Sequence, residues 1–147
     1  MTLRPYQKAD GEALKHLYED LSAFLPEDCE KERFRNDEGW NRFFFLHKTA
    51  VAEDQGEIVG FGMMEISVAC SICALGRWKG IYVREDRRNR GIGSKLLAAV
   101  EQFAAESAAG TATAEIPKEL LPFFRSAGYT EKREQIPKDC VTIRKSL

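Results

Sequence analysis

An arginine- and glycine-rich turn separates an apolar strand from a helical pattern in IYVREDRRNRGIGSKLLAAVEQF, residues 81–103. Gly91 and Gly93 stand where the helix is expected to begin, and the first N–H groups of a helix have no partner within it. These donors and the helix dipole favour an anion, and residues without Cβ let a pyrophosphate approach closely. Arg88 and Arg90 add local positive charge that suits phosphate. The segment therefore predicts a pyrophosphate-binding loop.

Two standard nucleotide motifs do not fit this turn. A Rossmann G-x-G-x-x-G would need a third glycine three residues after Gly93, where the chain has Leu96. A P-loop would need a glycine five residues before Gly93, where the chain has Arg88. An exposed charged turn before an ordinary helix therefore remains an alternative.

Composition limits the classes of partner. With 147 residues the chain is expected to form a single domain over residues 1–147, and its net charge of −1 gives no general attraction to nucleic acid or to anionic membranes. No apolar run approaches the roughly 20 residues of a membrane span, and the N-terminal segment carries acids through its apolar pattern, unlike a signal peptide. We expect a cytoplasmic protein with neither nucleic-acid nor membrane partners.

The four cysteines do not suggest a disulfide framework. Cys70 and Cys73 form a C-x-x-C that suits a redox pair or half of a metal site, while Cys29 and Cys140 have no second ligand close in sequence. Because a metal site needs a complete ligand set, we expect no metal and interpret the cysteines as small buried or half-buried side chains.

Hydrophobic periodicity predicts an α/β or α+β fold with the element order β-α-α-β-β-β-α-β-α-β-β. A first helix is expected to begin at Asp10 as its N-cap, and a second short helix falls within residues 27–43. Two strands are expected at 43–54 and 57–69, joined by a turn at DQGE, and a third strand at 76–83. A helix should follow from Gly93 and end at Gly110, and a strand at 111–116 comes next. The chain should finish with a helix between Pro117 and Gly128 and a hairpin formed by 129–136 and 140–147.

The segment VREDRRNRGIGSKLL resembles motif A of the GNAT superfamily of acyl-CoA-dependent N-acetyltransferases, whose pattern Q/R-x-x-G-x-G/A is met by Arg88, Gly91 and Gly93. Val83, at the end of the preceding strand, has the spacing to Gly91 that is usual in the family, FFRSAGY looks like the family's FYxxxGF, and VTIRKSL resembles its last strand. The resemblance implies a central mixed, mostly antiparallel sheet flanked by helices.

The resemblance also implies acetyl-CoA as co-substrate and no metal. The backbone of Ile81 and Val83 would pair with the pantetheine arm as with an added strand, and the Val83 N–H could polarise the thioester carbonyl. The full set of cofactor-binding residues that it implies is Ile81, Tyr82, Val83, Arg88, Asn89, Arg90, Gly91, Ile92, Gly93, Ser94 and Phe124.

The usual proton-transfer residues of the family are missing. The tyrosine that often protonates the leaving thiolate is replaced by Phe124, and the strand position of the usual glutamate base reads Arg77-Trp78-Lys79. Glu65 is the best remaining candidate for the base, since it shares strand parity with apolar residues that would raise its pKa. A solvated strand end explains Glu65 equally well. Tyr82 and Tyr129 are weaker candidates.

The acceptor pocket is expected near residues 25–45 and 71–79. The first segment is rich in acids that could attract a cationic amine or could form a solvated face: Glu27, Asp28, Glu30, Glu32, Asp37 and Glu38. We expect an N-acetyltransferase for the amine of a small molecule. The alternatives are a protein lysine or N-terminal acetyltransferase and a non-catalytic acyl-CoA-binding regulatory domain. The unpaired edge of the terminal hairpin makes a homodimer possible.

Overall fold

The fold is built on a seven-stranded sheet, seen in a computed structural model that describes residues 1–24, 47–70, 73–132 and 140–147. The strands are β1 Thr2–Pro5, β2 Lys48–Asp54, β3 Glu57–Cys70, β4 Cys73–Val83, β5 Ala109–Pro117, β6 Thr130–Glu131 and β7 Cys140–Ser146. Their order across the sheet is β1-β2-β3-β4-β5-β7-β6. The pair β4–β5 is parallel and the other pairs are antiparallel. This mixed, mostly antiparallel sheet confirms the predicted fold class.

Helices cover both faces of the sheet: α1 (Gly11–Phe24), α2 (Ile92–Glu106) and α3 (Leu121–Ser126). On one face, the apolar stripe of α2 packs in a buried cluster that also contains Phe124 of α3. Gly62 of β3 permits this close approach, since a Cβ there would lie 3.2 Å from Val100 of α2. On the other face, Leu14, Leu17 and Leu21 of α1 pack with residues of β2, β3 and β4. None of the helices described here is long and apolar enough to cross a membrane.

Several predicted boundaries differ from those observed. A 3-10 turn at Lys8–Asp10 precedes α1, so Gln7 is the N-cap and Asp10 is the third residue of the turn, whose carboxylate accepts the Gln7 N–H at 2.8 Å. Helix α2 ends before Gly110, because Ala108 takes the left-handed conformation with φ 64° and Gly110 already lies in β5. Asp10 as N-cap and Gly110 as the helix stop were therefore wrong.

Other predicted turns agree with the structure. Gln55 and Gly56 have φ values of 51° and 81° in the β2–β3 turn, and Gly128, with φ 95°, follows α3. The predicted helix in 27–43 lies outside the described residues. Strand β6 forms one edge of the sheet, and its pairing with a second copy of the chain stays a prediction.

Candidate active site

Strands β4 and β5 separate part of the way along their length. They pair from Ala74 opposite Ala109 to Arg77 opposite Thr113. Beyond that point β4 continues to Val83 and β5 to Pro117 without a further pair. The separation leaves an opening in the middle of the sheet, while β4 stays paired with β3 and β5 stays paired with β7.

The backbone of β4 presents hydrogen-bonding groups to this opening. The N–H of Arg84 donates to the carbonyl of Val59 on β3 at 2.8 Å. Because successive residues of a strand point their backbone groups to opposite sides, those of Ile81 and Val83 face away from β3 and toward the side from which β5 has diverged. This stretch of β4 can therefore pair with an extended ligand, as an added strand would.

The turn after β4 brings a helix N-terminus to the same opening. Gly91 is the N-cap of α2 with φ 77°, and no side chain of the described residues caps this end. The first donor within the helix is the N–H of Lys95, which donates to the Gly91 carbonyl at 3.2 Å. The preceding N–H groups have no carbonyl within the helix to receive them. A Cβ on Gly91 would meet no atom of the described residues within 4 Å, so this side of the backbone has space for an anion.

These features line one groove of about 700 Å³, within the usual range for small-molecule sites. The groove is lined by Leu21, Ile81, Tyr82, Val83, Arg87, Arg88, Asn89, Gly91, Ile92, Gly93, Ser94, Pro117, Glu119, Leu120 and Phe123. All but two of the predicted cofactor-binding residues are therefore brought together. The exceptions are Arg90, which is exposed, and Phe124, which is buried. Their contact with a cofactor stays a prediction without support from the geometry.

Phe123 lines the groove where Phe124 was expected. A Cβ on Gly93 would lie 3.5 Å from the Phe123 ring, so α3 presents Phe123 to the start of α2. Phe124 instead points into the core, with its ring edge-on to Trp78 and Tyr129. Both residues are phenylalanines, so the sequence does not distinguish them. The orientation of α3 determines which of the two side chains lines the groove.

Two arginines of the turn are already held in place. The Nε of Arg88 donates to the Val83 carbonyl at 2.9 Å, and its guanidinium lies 5.3 Å from the centre of the Tyr82 ring. Arg87, which sequence reasoning did not select, lines the groove and forms an ion pair with Asp54. Positive charge at the groove is thus positioned by contacts to β4 and to the β2–β3 hairpin.

A second, smaller cavity of about 60 Å³ lies between the separated strands. Leu21, Ile81, Pro117 and Leu120 line both this small cavity and the groove, so the two spaces adjoin. The full lining of the small cavity is Tyr18, Leu21, Arg77, Trp78, Lys79, Gly80, Ile81, Ala114, Glu115, Ile116, Pro117, Leu120 and Phe124. A ligand bound along β4 would therefore have its end near a second chamber.

Glu115 in the small cavity was missed by sequence reasoning. Its Oε1 atom is buried and makes no hydrogen bond to any described residue. In the strand TATAEI, Ala112, Ala114 and Ile116 are buried in the core, which leaves Glu115 on the opposite parity. The sequence signal that could have identified Glu115 is an acidic residue in a strand of otherwise small and apolar residues.

Glu65 is held in an ion pair. Its Oε2 lies 3.0 Å from Nζ of Lys79, which lies at a bulge of β4 opposite Met63 and Met64. The Lys79 side chain is buried and that of Glu65 is 41% exposed. The hydrogen bond from Lys79 lowers the pKa of Glu65 below its ordinary value, so the expected raised pKa was wrong. Glu65 as the base remains a prediction that this contact weakens.

The two tyrosine candidates are both buried. Tyr82 lines the groove and belongs to the core cluster around α1. Tyr129 lines neither the groove nor the small cavity and accepts a hydrogen bond from Nε1 of Trp78 at 2.7 Å. Burial raises the pKa of Tyr129, which makes its hydroxyl a poorer proton donor. Packing is the better account of Tyr129.

Several predicted features lie wholly or partly outside the described residues. The acidic segment at 25–45, Cys29 and residues 71–72 are among them. Cys70 and Cys73 are paired across the β3–β4 hairpin through their backbones. Within the described ranges, no three histidine, cysteine, aspartate or glutamate residues are grouped to hold a metal ion.

Comparison with known proteins gives a family match and a shared fold. A family model described as an acetyltransferase (GNAT) domain matches residues 41–131. A ribosomal-protein-alanine N-acetyltransferase from Brucella melitensis has 22% identity and a TM-score of 0.76, with 100% of both chains covered. A putative acetyltransferase from Salmonella typhimurium, solved with its cofactor acetyl-CoA, has 17% identity and a TM-score of 0.77, covering 99% of this chain and 93% of that one.

Naa50 from Arabidopsis thaliana, in complex with the bisubstrate analogue CoA-Ac-MVNAL, has 17% identity and a TM-score of 0.74, covering 99% of this chain and 98% of that one. At these identities the structural likeness establishes a shared fold. No curated protein matches the chain.

Proposed function

Because the chain belongs to the GNAT family of acetyltransferases, we propose that it transfers the acetyl group of acetyl-CoA to the primary amine of a small molecule, by direct attack in a ternary complex. The acyltransferase class follows from the family match, which spans more than half of the chain. The observation that carries the proposal is the end of β4 that has separated from β5, beside the start of α2, within one groove.

The groove suits the two recognisable parts of a coenzyme A molecule. The outward N–H and carbonyl of Ile81, together with the Val83 carbonyl that Arg88 also contacts, would hold the pantetheine arm, whose amides can pair with a strand. The N–H groups from Gly91 to Ser94 would hold the pyrophosphate, assisted by the positive charge of Arg88. When bound, acetyl-CoA supplies an activated acetyl thioester.

The chain's own contribution to the reaction is largely positioning. Holding an amine and a thioester in reactive geometry can supply about 7–11 kcal/mol of the barrier in favourable cases. The Val83 N–H, turned toward the opening, would stabilise negative charge on the thioester oxygen. Phe124 lines the small cavity but has no proton to give, so the thiolate would take its proton from the attacking nitrogen or from water.

The small cavity favours a slender acceptor. Its volume of about 60 Å³ is far smaller than the roughly 700 Å³ of the groove, which favours a primary amine on an unbranched stem. The second candidate is a protein acceptor, because the Brucella melitensis protein is named for ribosomal-protein alanine and the Arabidopsis thaliana structure holds a peptide-bearing bisubstrate analogue. A peptide N-terminus would have to place its branched α-carbon beside the same narrow space.

Thiol release tests the proposed function. The protein is incubated with acetyl-CoA and, separately, n-butylamine, spermidine, an alanine-initiated peptide and a lysine-containing peptide, and the liberated thiol is measured. We expect the fastest release with one of the two small amines. Faster release with a peptide would instead favour the protein acceptor. Tight binding of coenzyme A by calorimetry with no thiol released by any amine would identify a non-catalytic binding domain.

A further inference from the structure

We propose that Glu115 binds the ammonium group of the acceptor and accepts its proton, an inference that rests on the proposed acetyl transfer. Glu115 lies on β5 beyond Thr113, the last residue of that strand paired with β4. It therefore borders the opening into which β4 turns the backbone groups of Ile81 and Val83. The amine and the thioester would meet between these two strands.

The surroundings of Glu115 leave its carboxylate in need of a donor. Its Oε1 atom is buried without a hydrogen-bond partner, and no ion pair joins Glu115 to another described residue. A buried polar atom that makes no hydrogen bond costs free energy, and the cost is larger for a charged group. An ammonium ion entering the small cavity would supply both the donor and the compensating charge.

Glu101 is a second glutamate with a buried carboxylate oxygen, and it already has a cation as partner. Glu101 of α2 also has a buried, unpartnered Oε1, but its Oε2 is bound by Nζ of Lys145 at 2.8 Å. Glu101 therefore already has its cation, supplied by β7. The corresponding cation for Glu115 would come from the substrate.

Glu115 is the one acidic residue among the described residues that line the small cavity. Arg77, Lys79 and Glu115 are the charged side chains among the described residues that line it. Lys79 is committed to an ion pair with Glu65, which does not line the small cavity. Within the described lining, Glu115 is thus the one carboxylate that can meet an incoming cation.

The reaction at this position balances without a further reactant. The Glu115 carboxylate takes one proton from R–NH₃⁺, and the nitrogen lone pair of R–NH₂ then forms a C–N bond to the thioester carbon. The C–S bond breaks, and the sulfur leaves with its electron pair. The sulfur takes the second proton from the nitrogen, directly or through water, which gives the amide and the free thiol. Glu115 then releases its proton to solvent.

Direct binding of a cation tests the inference independently of turnover. Wild-type protein and the Glu115→Gln variant, both without coenzyme A, are titrated with n-butylammonium and with the neutral n-pentanol, and binding is followed by NMR chemical shifts. We expect n-butylammonium to bind the variant at least about tenfold more weakly. Binding of n-pentanol should differ by less than about twofold, because the amide that replaces the carboxylate would keep the shape of the cavity. The exposed Glu106→Gln serves as the charge-matched control and should behave as wild type.

Equal affinity of wild type and Glu115→Gln for n-butylammonium, or no binding to the wild type, would overturn the inference. Coenzyme A affinity is measured in parallel and should be the same in both proteins, because Glu115 does not line the groove. If coenzyme A fails to bind the wild type, the proposed function fails, whereas the ammonium titration still reports on Glu115 alone. A thermal melt confirms that the variant is folded.

Discussion

The indole Nε1 of Trp78 donates a hydrogen bond to the hydroxyl of Tyr129 at 2.7 Å, in the core beside α2 and α3. Trp78 lies on β4 just past its last pair with β5, and Tyr129 immediately precedes β6. The contact therefore ties the diverging strand to the far side of the sheet. The contact also gives the Tyr129 hydroxyl a structural role, as the acceptor of a buried hydrogen bond.

The Tyr129→Phe variant should lose stability and keep activity. Removing the hydroxyl leaves the Trp78 N–H buried without an acceptor, at a cost of about 1–3 kcal/mol. Urea denaturation measures this loss, and thiol release from acetyl-CoA should stay within about twofold of wild type at a temperature where both proteins are folded. An unchanged midpoint together with a large loss of turnover would make Tyr129 the acid after all.

The Gly91→Leu variant should lose coenzyme A affinity. A leucine side chain would fill the open space beside the first N–H groups of α2, and we expect binding to weaken on the order of 100-fold, or about 2.7 kcal/mol. Isothermal titration with coenzyme A provides the measurement. Affinity retained within about threefold would contradict the placement of the pyrophosphate at this helix end.

Gly56→Leu provides the matched control for backbone strain. Gly56 and Gly91 have φ values of 81° and 77°, and in the part of the chain that the structure describes a Cβ at either would meet nothing within 4 Å. Both substitutions should therefore cost a similar amount of stability, about 1–2 kcal/mol for the left-handed conformation. Gly56 does not line the groove, so its variant should bind coenzyme A as wild type does.

The position of the loop between β4 and α2 was predictable from sequence because the residues that form it are close together in the chain. Gly91, Gly93 and the strand ending at Val83 lie close together in the chain, and backbone rules alone place bare N–H groups beside that strand. Glu115 was not predictable in the same way, since its proposed role depends on where β5 separates from β4. Phe123 and Phe124 are a further case, because only the rotation of α3 distinguishes them. Features set by tertiary packing were therefore not predicted from the sequence, and the ion pair that lowers the pKa of Glu65 is among them.

The Glu65→Gln variant should keep most of its activity. The hydrogen bond from Lys79 holds the pKa of Glu65 below its ordinary value, so this carboxylate is ionised across neutral pH and is a weak proton acceptor. We expect thiol release within about threefold of wild type and an unchanged acid limb in the pH dependence of kcat/KM. Loss of that limb in Glu65→Gln, with its retention in Glu115→Gln, would make Glu65 the base.

The Phe124→Tyr variant should turn over faster. Phe124 is buried, lines the small cavity and contacts the rings of Trp78 and Tyr129. A hydroxyl there would supply a proton donor at the position where the family usually has a tyrosine, and a general acid typically contributes about 10²–10⁴-fold. We expect kcat to rise on the order of tenfold, because the alignment of the new donor is not optimised. Phe103→Tyr on α2 is the control for adding a hydroxyl, and equal rates in the two variants would argue against the acid position.

Asp10 should make stability depend on pH. Burial alone would raise the pKa of Asp10, but hydrogen bonds from Arg4 and from the Gln7 N–H outweigh burial and lower it. A carboxylate with a lowered pKa in the folded state stabilises the protein above its unfolded pKa, near 3.9, and this contribution is lost as the pH falls through the folded pKa. Asp10→Asn should therefore cost about 3 kcal/mol at pH 7 and progressively less below pH ~4, as measured by urea unfolding. The exposed Asp20→Asn should show no such trend, and an Asp10→Asn deficit that is constant from pH 7 to pH ~2.5 would refute an ionic origin.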